Sequence, residues 1–437
     1  MKNKPGTIIL LLIFLGAAQV YSQDATTVVD SEIRSNFESI AVRVHFEGDA
    51  NQNNSATMEY RKSGDTDWLP AHPLSAIAGE PVGQTGKALA GSIVFLQKNT
   101  KYEVRITVDD PDGVNTSQVD LSISTRDDNF PTGGGAEWFV SPDGDDTNPG
   151  TAEAPFKTIQ KAANLVSLGD VVKVNAGTYR ETVHITRSGS ADNYIMFQAL
   201  DENVIIDGAW EDFQVIDDID QWTEYTQGVY YAAIPWGFDT HYCSVDGIRF
   251  YKYDNLSSLM SGESGVQGGY YLDNTGSKRI YIKLPDGDDP DLHHVEIALL
   301  DYGFHVDNAD YIIIDGFVTR NFGKDERRGI SIYMDNCSHV VVQNCTVSNS
   351  VYGIHGNLED DDPNPRSRFM LVQDNTVFQN GLWELPWAVA YRRMGGQGIN
   401  LEGAEGNNVI RRNHVRGFVD GIVLGDGAGP AFNDDIH

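Results

Sequence analysis

The chain has 437 residues, 40% of them hydrophobic, so it is too long for one ordinary domain and can fill a large core. Lys and Arg number 32 against 63 Asp and Glu, a formal net charge of −31. Such a surface repels nucleic acid and anionic membranes, so neither is expected as a partner. The 44 glycines, 19 tyrosines and 18 phenylalanines suit an all-β protein with many turns. The three cysteines, Cys243, Cys337 and Cys345, are too few for a disulfide framework and are expected to pack in the interior.

Residues 1–22 read as a secretory signal peptide. Lys2 and Lys4 precede an apolar core from Thr7 to Ala18, and Val20 and Ser22 stand before the cut. No Cys follows the apolar core, so a lipid anchor is not supported. A secreted or periplasmic protein is expected, with no membrane insertion after cleavage.

Residues 24–127 read as a small β-sandwich. "SATMEYRKSGDTDWLPA" alternates as a strand and turns at Gly64-Asp65. Leu96, five residues short of the strand that opens at Tyr102, and the turn at Asp112-Gly113 resemble the tyrosine corner of sandwich domains. The segment resembles a fibronectin type III domain, a spacer or docking module with no catalytic cluster of its own. A Pro/Gly linker, 128–137, follows.

The next stretch, "SPDGDDTNPGT", looks like a calcium loop. Counted as an EF-hand from Asp143, it has Asn148 where Gly is required and Ala154 where a bidentate Glu closes the cage, so it fails that test. A looser Ca²⁺ site through Asp143, Asp145 and Asp146 stays open. Pro155 to Leu168 then predicts a helix, with Phe156, Ile159, Ala163 and Val166 on one face and Gly169 as its stop.

Beyond it a phrase recurs. "NVIIDGAW" at Asn203 returns as "DYIIIDGF" at Asp310, with weaker copies aligned on Val318, Val347, Val377 and Val415. A second phrase alternates with it: "GFHV" at Gly303, "GISI" at Gly329, "GIHG" at Gly353, "GINL" at Gly398 and "GIVL" at Gly421. Short strands at such a period describe a solenoid, whose coils must stack to bury their apolar faces. Asn375 and Asn413 share a register with Gly316 and Cys345, and stacked amides there would hydrogen-bond from coil to coil. Residues 211–299 interrupt the coils and read as an inserted antiparallel β subdomain, with a turn at Asp273 to Ser277. Further coils are expected after His437, because an open end exposes unpaired strand edges.

On these phrases, and above all on "SPDGDDTNPGTAEAPFKTIQKAANLVSLGDVVKVNAGTYRE", residues 138–437 resemble the right-handed parallel β-helix proteins related to pectate lyases. The resemblance implies that the helix caps the solenoid and that the chain acts on polysaccharides, by hydrolysis or by β-elimination.

In each "GIxx" strand the Ile faces inward, so residues two apart face outward. The outward pairs are His305 and Asp307, Ser331 and Tyr333, His355 and Asn357, Asn400 and Glu402, and Val423 and Gly425. His355, Asn357, Asn400 and Glu402 would form one polar square. Insertions at 321–328, 357–368 and 381–397 flank the same strands and would wall a groove. In them, Trp383, Trp387 and Tyr391 offer flat faces for sugar rings, and Arg392 and Arg393 offer forks for carboxylate or sulfate.

Hydrolysis needs two carboxylates. Glu402 is the leading candidate, with Glu405, Asp426, Asp434 and Asp435 as partners, Asp307 on an earlier rung, and His355 as a base or hydroxyl ligand. Elimination needs a base and a cation; only Lys324 occurs after Lys283, and Arg392, Arg393, Arg411 and Arg412 fall in no recognised lyase motif. No motif demands a cofactor. The acidic run Asp360, Asp361 and Asp362 could take Ca²⁺, and no Cys/His spacing suggests zinc. A polysaccharide substrate and a monomer are expected. Hydrolase, lyase and non-catalytic carbohydrate-binding protein stay open as functions, because fold alone does not choose among them.

Overall fold

The computed structural model describes residues 24–77, 87–213, 221–235, 238–262, 268–324, 329–357, 368–380, 396–402, 407–425 and 435–436. The chain divides into two compact units, Met1–Asp128 and Asn129–His437. The signal-peptide reading falls outside the described residues.

The first unit is a β-sandwich of two antiparallel four-stranded sheets. One holds Thr26–Ser35, Ile40–Gly48, Lys87–Ile93 and Ser75–Ile77; the other holds Leu69–Pro70, Ser55–Lys62, Lys101–Asp109 and Gln118–Ser124. Alternation along the strands sends Ile40, Val42, Val44 and Phe46 inward against Val104, Ile106 and Val108. The Gln97 N–H donates to the Tyr102 hydroxyl at 2.9 Å, a bond from the strand back to the chain just upstream of it.

The second unit is a right-handed parallel β-helix. Its chain visits three parallel sheets in turn. The first sheet stacks Glu137–Val140, Val171–Val174, Ile195–Ala199, Ile312–Asp315, Val340–Gln343, Leu371–Gln373, Val409–Arg411 and Asp435–Ile436. The second stacks Gly177–Tyr179, Val204–Asp207, Val318–Arg320, Thr346–Ser348, Thr376–Phe378 and His414–Arg416. The third stacks Val183–Ile185, Tyr302–Asp307, Ile330–Asp335, Tyr352–Asn357, Gln397–Glu402 and Asp420–Gly425. All three sheets send Val, Ile, Phe and Leu into one continuous core, which includes Val172, Phe197, Ile206, Phe304, Ile332, Ile354 and Ile399. All three cysteines are buried, and none is in a disulfide.

The corner between the first and second sheets explains the recurring phrase. Gly316, Asn344, Asp374 and Arg412 each hold a left-handed backbone, with φ of 85°, 55°, 57° and 54°. The next residue, Phe317, Cys345 or Asn375, points into the core and is buried. Asn375 accepts the Cys345 N–H at 2.9 Å, and its amide donates to Val342 O at 3.0 Å and to Asn413 Oδ1 at 2.9 Å. The expected amide ladder is present, but its register partner on the earlier rung is Phe317, not Gly316. The cause is a one-residue slip: Thr319, not Val318, pairs with Val347.

The capping helix is shorter than predicted, spanning Ile159–Ala163. Phe156 does not join it but makes an isolated parallel bridge to Val140. The acidic stretch before it closes turns and caps the helix. Asp146 accepts the Lys157 and Thr158 N–H groups at 2.9 Å each, and Asp145 accepts the Thr147 N–H at 2.8 Å. Thr158 is the N-cap, and the Glu181 carboxylate accepts the Ile159 and Gln160 N–H groups at 2.9 Å each.

Between the second and third sheets of one coil, residues 208–301 leave the solenoid. They form a five-stranded sheet (Thr223–Thr226, Val229–Ala233, Arg279–Lys283, Gly269–Asp273, Lys252–Tyr253) and a three-stranded one (Ile248–Arg249, Cys243–Val245, Val295–Ile297). Pairing is antiparallel except between Lys252–Tyr253 and Gly269–Asp273. A buried network fastens this subdomain to the coils. Asp207, fully buried, takes hydrogen bonds from Arg320 Nε and Asn321 Nδ2 at 3.0 Å each, and Asn321 Nδ2 also donates to Glu296 Oε1 at 2.9 Å.

Candidate functional site

The third sheet carries the candidate site. Its inward column runs Val183, Phe304, Ile332, Ile354, Ile399 and Ile422. One residue further along, the outward column runs His184, His305, Tyr333, His355, Asn400 and Val423. Two residues beyond that stand Asp307, Asp335 and Asn357 on successive rungs, and Glu402 beside Gly425 on later ones.

This register corrects the sequence reading in one place. Aligning "GISI" on Gly329 puts Ile330 in the column of Ile354, but Ile332 holds that place. Ser331 is therefore not the rung-mate of His305. It is fully buried, with its hydroxyl 2.7 Å from that of Ser350. Tyr333 takes the place opposite His305, and Asp335 the place opposite Asp307. The sequence reading missed Asp335. A signal for it exists: Asp307-Asn308 and Asp335-Asn336 repeat the same dipeptide, and both asparagines hold left-handed corners with φ of 50° and 46°.

The outward rings stack on one another. His184 and His305 lie 4.9 Å apart at 19°, and His305 and Tyr333 lie 5.0 Å apart at 20°. Tyr302 flanks His305 at 4.8 Å, and His355 sits 5.9 Å from Tyr333 and 5.7 Å from Tyr352. The rings fix each other's orientation, as in-register stacking on a parallel sheet requires.

Beside the rings lie the carboxylates. Asp307 Oδ2 is 2.9 Å from His184 Nε2, and Asp307 Oδ1 accepts the Asn308 amide at 2.7 Å. Burial alone would raise the Asp307 carboxyl, but these bonds and the neighbouring imidazoles outweigh it and hold it below its ordinary value. Asp335 Oδ2 is 3.6 Å from His305 Nε2, and Asp335 Oδ1 is buried without a hydrogen-bond partner. Both ring nitrogens of His355 are likewise buried and unpartnered, although the residue as a whole is partly exposed. Burial pushes the His355 imidazole down to about 4, against the pull of Asp335, so it is neutral at neutral pH.

Asn400 pairs with His355 as expected, yet it is only 1% exposed and its amide donates to Gln397 at 2.5 Å. It is a packed residue and not an open sugar ligand. For Asn357, Glu402 and Asp435 only the backbone positions are described. Asp435 pairs with Val409 in the first sheet, so it does not stand on the third-sheet rung beside Glu402. Glu405, Asp426, Asp434, Trp383, Trp387, Tyr391, Arg392, Arg393 and the run Asp360, Asp361 and Asp362 lie outside the described residues.

Calcium needs six to eight oxygens. Among the described residues, the convergent set on this sheet is two carboxylates and an imidazole, His305, Asp307 and Asp335. That set does not fit Ca²⁺.

Comparison with known proteins adds the following. A family model described as "Right handed beta helix region" matches residues 241–436, and one described as "Protein of unknown function (DUF1565)" matches residues 142–185. The chain is 40% identical over 82 residues to Pectate lyase PEL9 of Emericella nidulans, covering 18% of this chain and 20% of that protein. It is 36% identical over 97 residues to the protein YwoF of Bacillus subtilis, covering 22% of this chain and 21% of that one. The chain thus spans about a fifth of the length of the curated relatives it matches. The solved structure of XylC with xylose covers 64% of this chain and 58% of its own at 17% identity, with a TM-score of 0.46.

Proposed function

We propose, for a chain whose solenoid belongs to the right-handed parallel β-helix family, that it is a secreted enzyme degrading a polysaccharide along its third sheet. The observation that carries this reading is the outward ladder itself. Solubility alone does not call for stacked His and Tyr rings with carboxylates beside them on neighbouring rungs of one sheet. Rungs spaced about 4.8 Å apart give a linear track on which successive sugar rings can lie. The matched segment of Pectate lyase PEL9 supports a carbohydrate substrate.

The reaction is hydrolysis of the glycosidic bond, with Glu402 donating a proton to the leaving oxygen. His355, neutral at working pH with both ring nitrogens buried, packs against Tyr333 and Tyr352 beneath the track and does not touch sugar. Elimination is the weaker reading, because none of the outward positions of the two columns is a Lys or Arg that could serve as its base. The N-terminal sandwich is a fibronectin type III-like spacer, and the protein works as a monomer outside the cell.

The test is turnover of a panel of neutral and uronate-containing glycans by the full chain. New reducing ends without ultraviolet absorbance of an unsaturated uronate are expected. Glu402→Gln should lower turnover by about 10²-fold or more. Intact turnover in that variant, or an unsaturated product, would overturn the assignment. Tight glycan binding without any cleavage would make the protein a binding module.

A further inference from the structure

We propose that His305, Asp307 and Asp335 form a binding site for a borderline first-row divalent cation, of which Zn²⁺ is the probe. One ligand atom from each of the three lies within 4.8 Å of the others. The topology produces this convergence. His305 and Asp307 are two apart on one strand and so face the same side, and Asp335 is the register partner of Asp307 on the next rung.

Two further observations point to a missing partner. Asp335 is 8% exposed, and its Oδ1 is buried with nothing bonded to it. His305 Nε2 is also buried and makes no hydrogen bond, since its 3.6 Å separation from Asp335 Oδ2 is too long for one. Leaving such atoms without partners costs about 1–3 kcal/mol each, and more where the group is charged. A cation held by His305 Nε2 and the Asp335 carboxylate would give the ring nitrogen a partner and offset the charge of the buried carboxylate. The alternative, a simple His305–Asp335 ion pair, would close to hydrogen-bond distance and would leave Asp335 Oδ1 no better served.

The dimensions suit the ion. Zinc bonds of about 2.0–2.2 Å to imidazole and carboxylate place tetrahedral ligand atoms about 3.3–3.6 Å apart. The His305–Asp335 pair is already near this spacing at 3.6 Å. A separation of up to 4.8 Å needs a closure of at most about 1.2–1.5 Å to reach the tetrahedral value, within reach of a side-chain rotation. The surroundings hold the ligands in place. The His305 ring is packed between His184 and Tyr333, and Asp307 is oriented by the His184 ring and the Asn308 amide. An imidazole ligand selects Zn²⁺ and its first-row neighbours over Ca²⁺ and Mg²⁺. Three protein ligands leave a coordination position open on the outer side of the sheet.

The site stands on ligand geometry and is read without any glycan, so it holds or fails independently of the proposed turnover and of Glu402. The experiment is calorimetric titration of Zn²⁺ into the full chain after chelator treatment, followed by thermal unfolding with and without the metal. One Zn²⁺ per chain is expected, with a Kd on the order of 1 μM or tighter. Asp335→Asn and His305→Gln should each weaken binding at least tenfold while keeping the wild-type circular dichroism spectrum. Bound metal should raise the melting temperature of the wild type and not that of Asp335→Asn. Absence of stoichiometric binding, or wild-type affinity in both variants, would overturn the site. Displacement of Zn²⁺ by equimolar Ca²⁺ would overturn the ion class.

Discussion

Replacing Asn375 by Ala tests whether the solenoid is held by its inner amide ladder as well as by apolar stacking. Asn375 is 1% exposed and makes three side-chain hydrogen bonds, to Cys345 N–H, Val342 O and Asn413 Oδ1. In the variant the buried Cys345 N–H loses its acceptor, which costs about 1–3 kcal/mol. The two bonds made by the amide contribute a further ~0.5–1.5 kcal/mol each. The expected loss is therefore about 2–6 kcal/mol, large against the stability of most domains. Asn413→Ala alone should cost less, because Asn413 is less buried. The double variant should fall short of the sum, since the two side chains share a bond. Guanidinium unfolding gives the stability change. Amide exchange over Val340–Gln343 and Leu371–Gln373 shows whether it is local, which matters because stacked coils need not unfold as one unit. A loss below about 1 kcal/mol, or no coupling to Asn413, would refute the ladder as a stabilising element.

Three further outcomes follow from the geometry. Asp207→Ala should cost about 3 kcal/mol and loosen residues 208–301, seen as faster exchange of the Cys243–Val245 amides; the partly exposed Arg320 and Arg180 keep the figure at the low end for a broken buried pair. The His355 imidazole stays neutral in the folded chain down to about pH 4, whereas an unfolded one protonates near 6.5. The unfolded state thus binds the extra proton in that window, and stability falls as pH drops from 6.5 towards 4, by about 3 kcal/mol at most. His355→Gln should flatten that limb of the stability–pH curve, and an unchanged curve would count against a buried neutral ring. Gly353→Ala puts a Cβ 2.2 Å from Gly398 O and 2.7 Å from Val377, so it should part neighbouring strands of the third sheet at a cost of about 1–3 kcal/mol, read as a lower melting temperature.

The sequence made the architecture legible because solenoid coils repeat their apolar letters. Val347, Val377 and Val415 do stack, and Asn375 and Asn413 do bond from coil to coil. It misled wherever a corner residue varied. The left-handed position accepts Gly316, Asn344, Asp374 or Arg412 alike, since backbone conformation and not side-chain type is repeated there. Matching letters therefore slipped by one at Val318, while on the third sheet the apolar letters of "GISI" matched two residues too early, because Ile330 and Ile332 are both isoleucine. The helix reading failed for a related reason: Phe156 has helical spacing but its backbone is bridged to Val140, and burial of the same face is reached without a helical turn.

The two-residue slip had the larger consequence for function. A shift by two preserves the alternation along the strand, so Tyr333 keeps its place in the column of His305 while the rung partners change. What the slip hid was neighbourhood along the stack. His305 and Asp307 read alone are a solvated histidine and a surface carboxylate; only when Asp335 is moved up to Asp307 do they become a convergent set with buried, unpartnered atoms. In a solenoid, then, the period of the corners has to be fixed before the chemistry of a face can be read. Here the repeated Asp-Asn pair at 307–308 and 335–336 marks that period better than any apolar phrase.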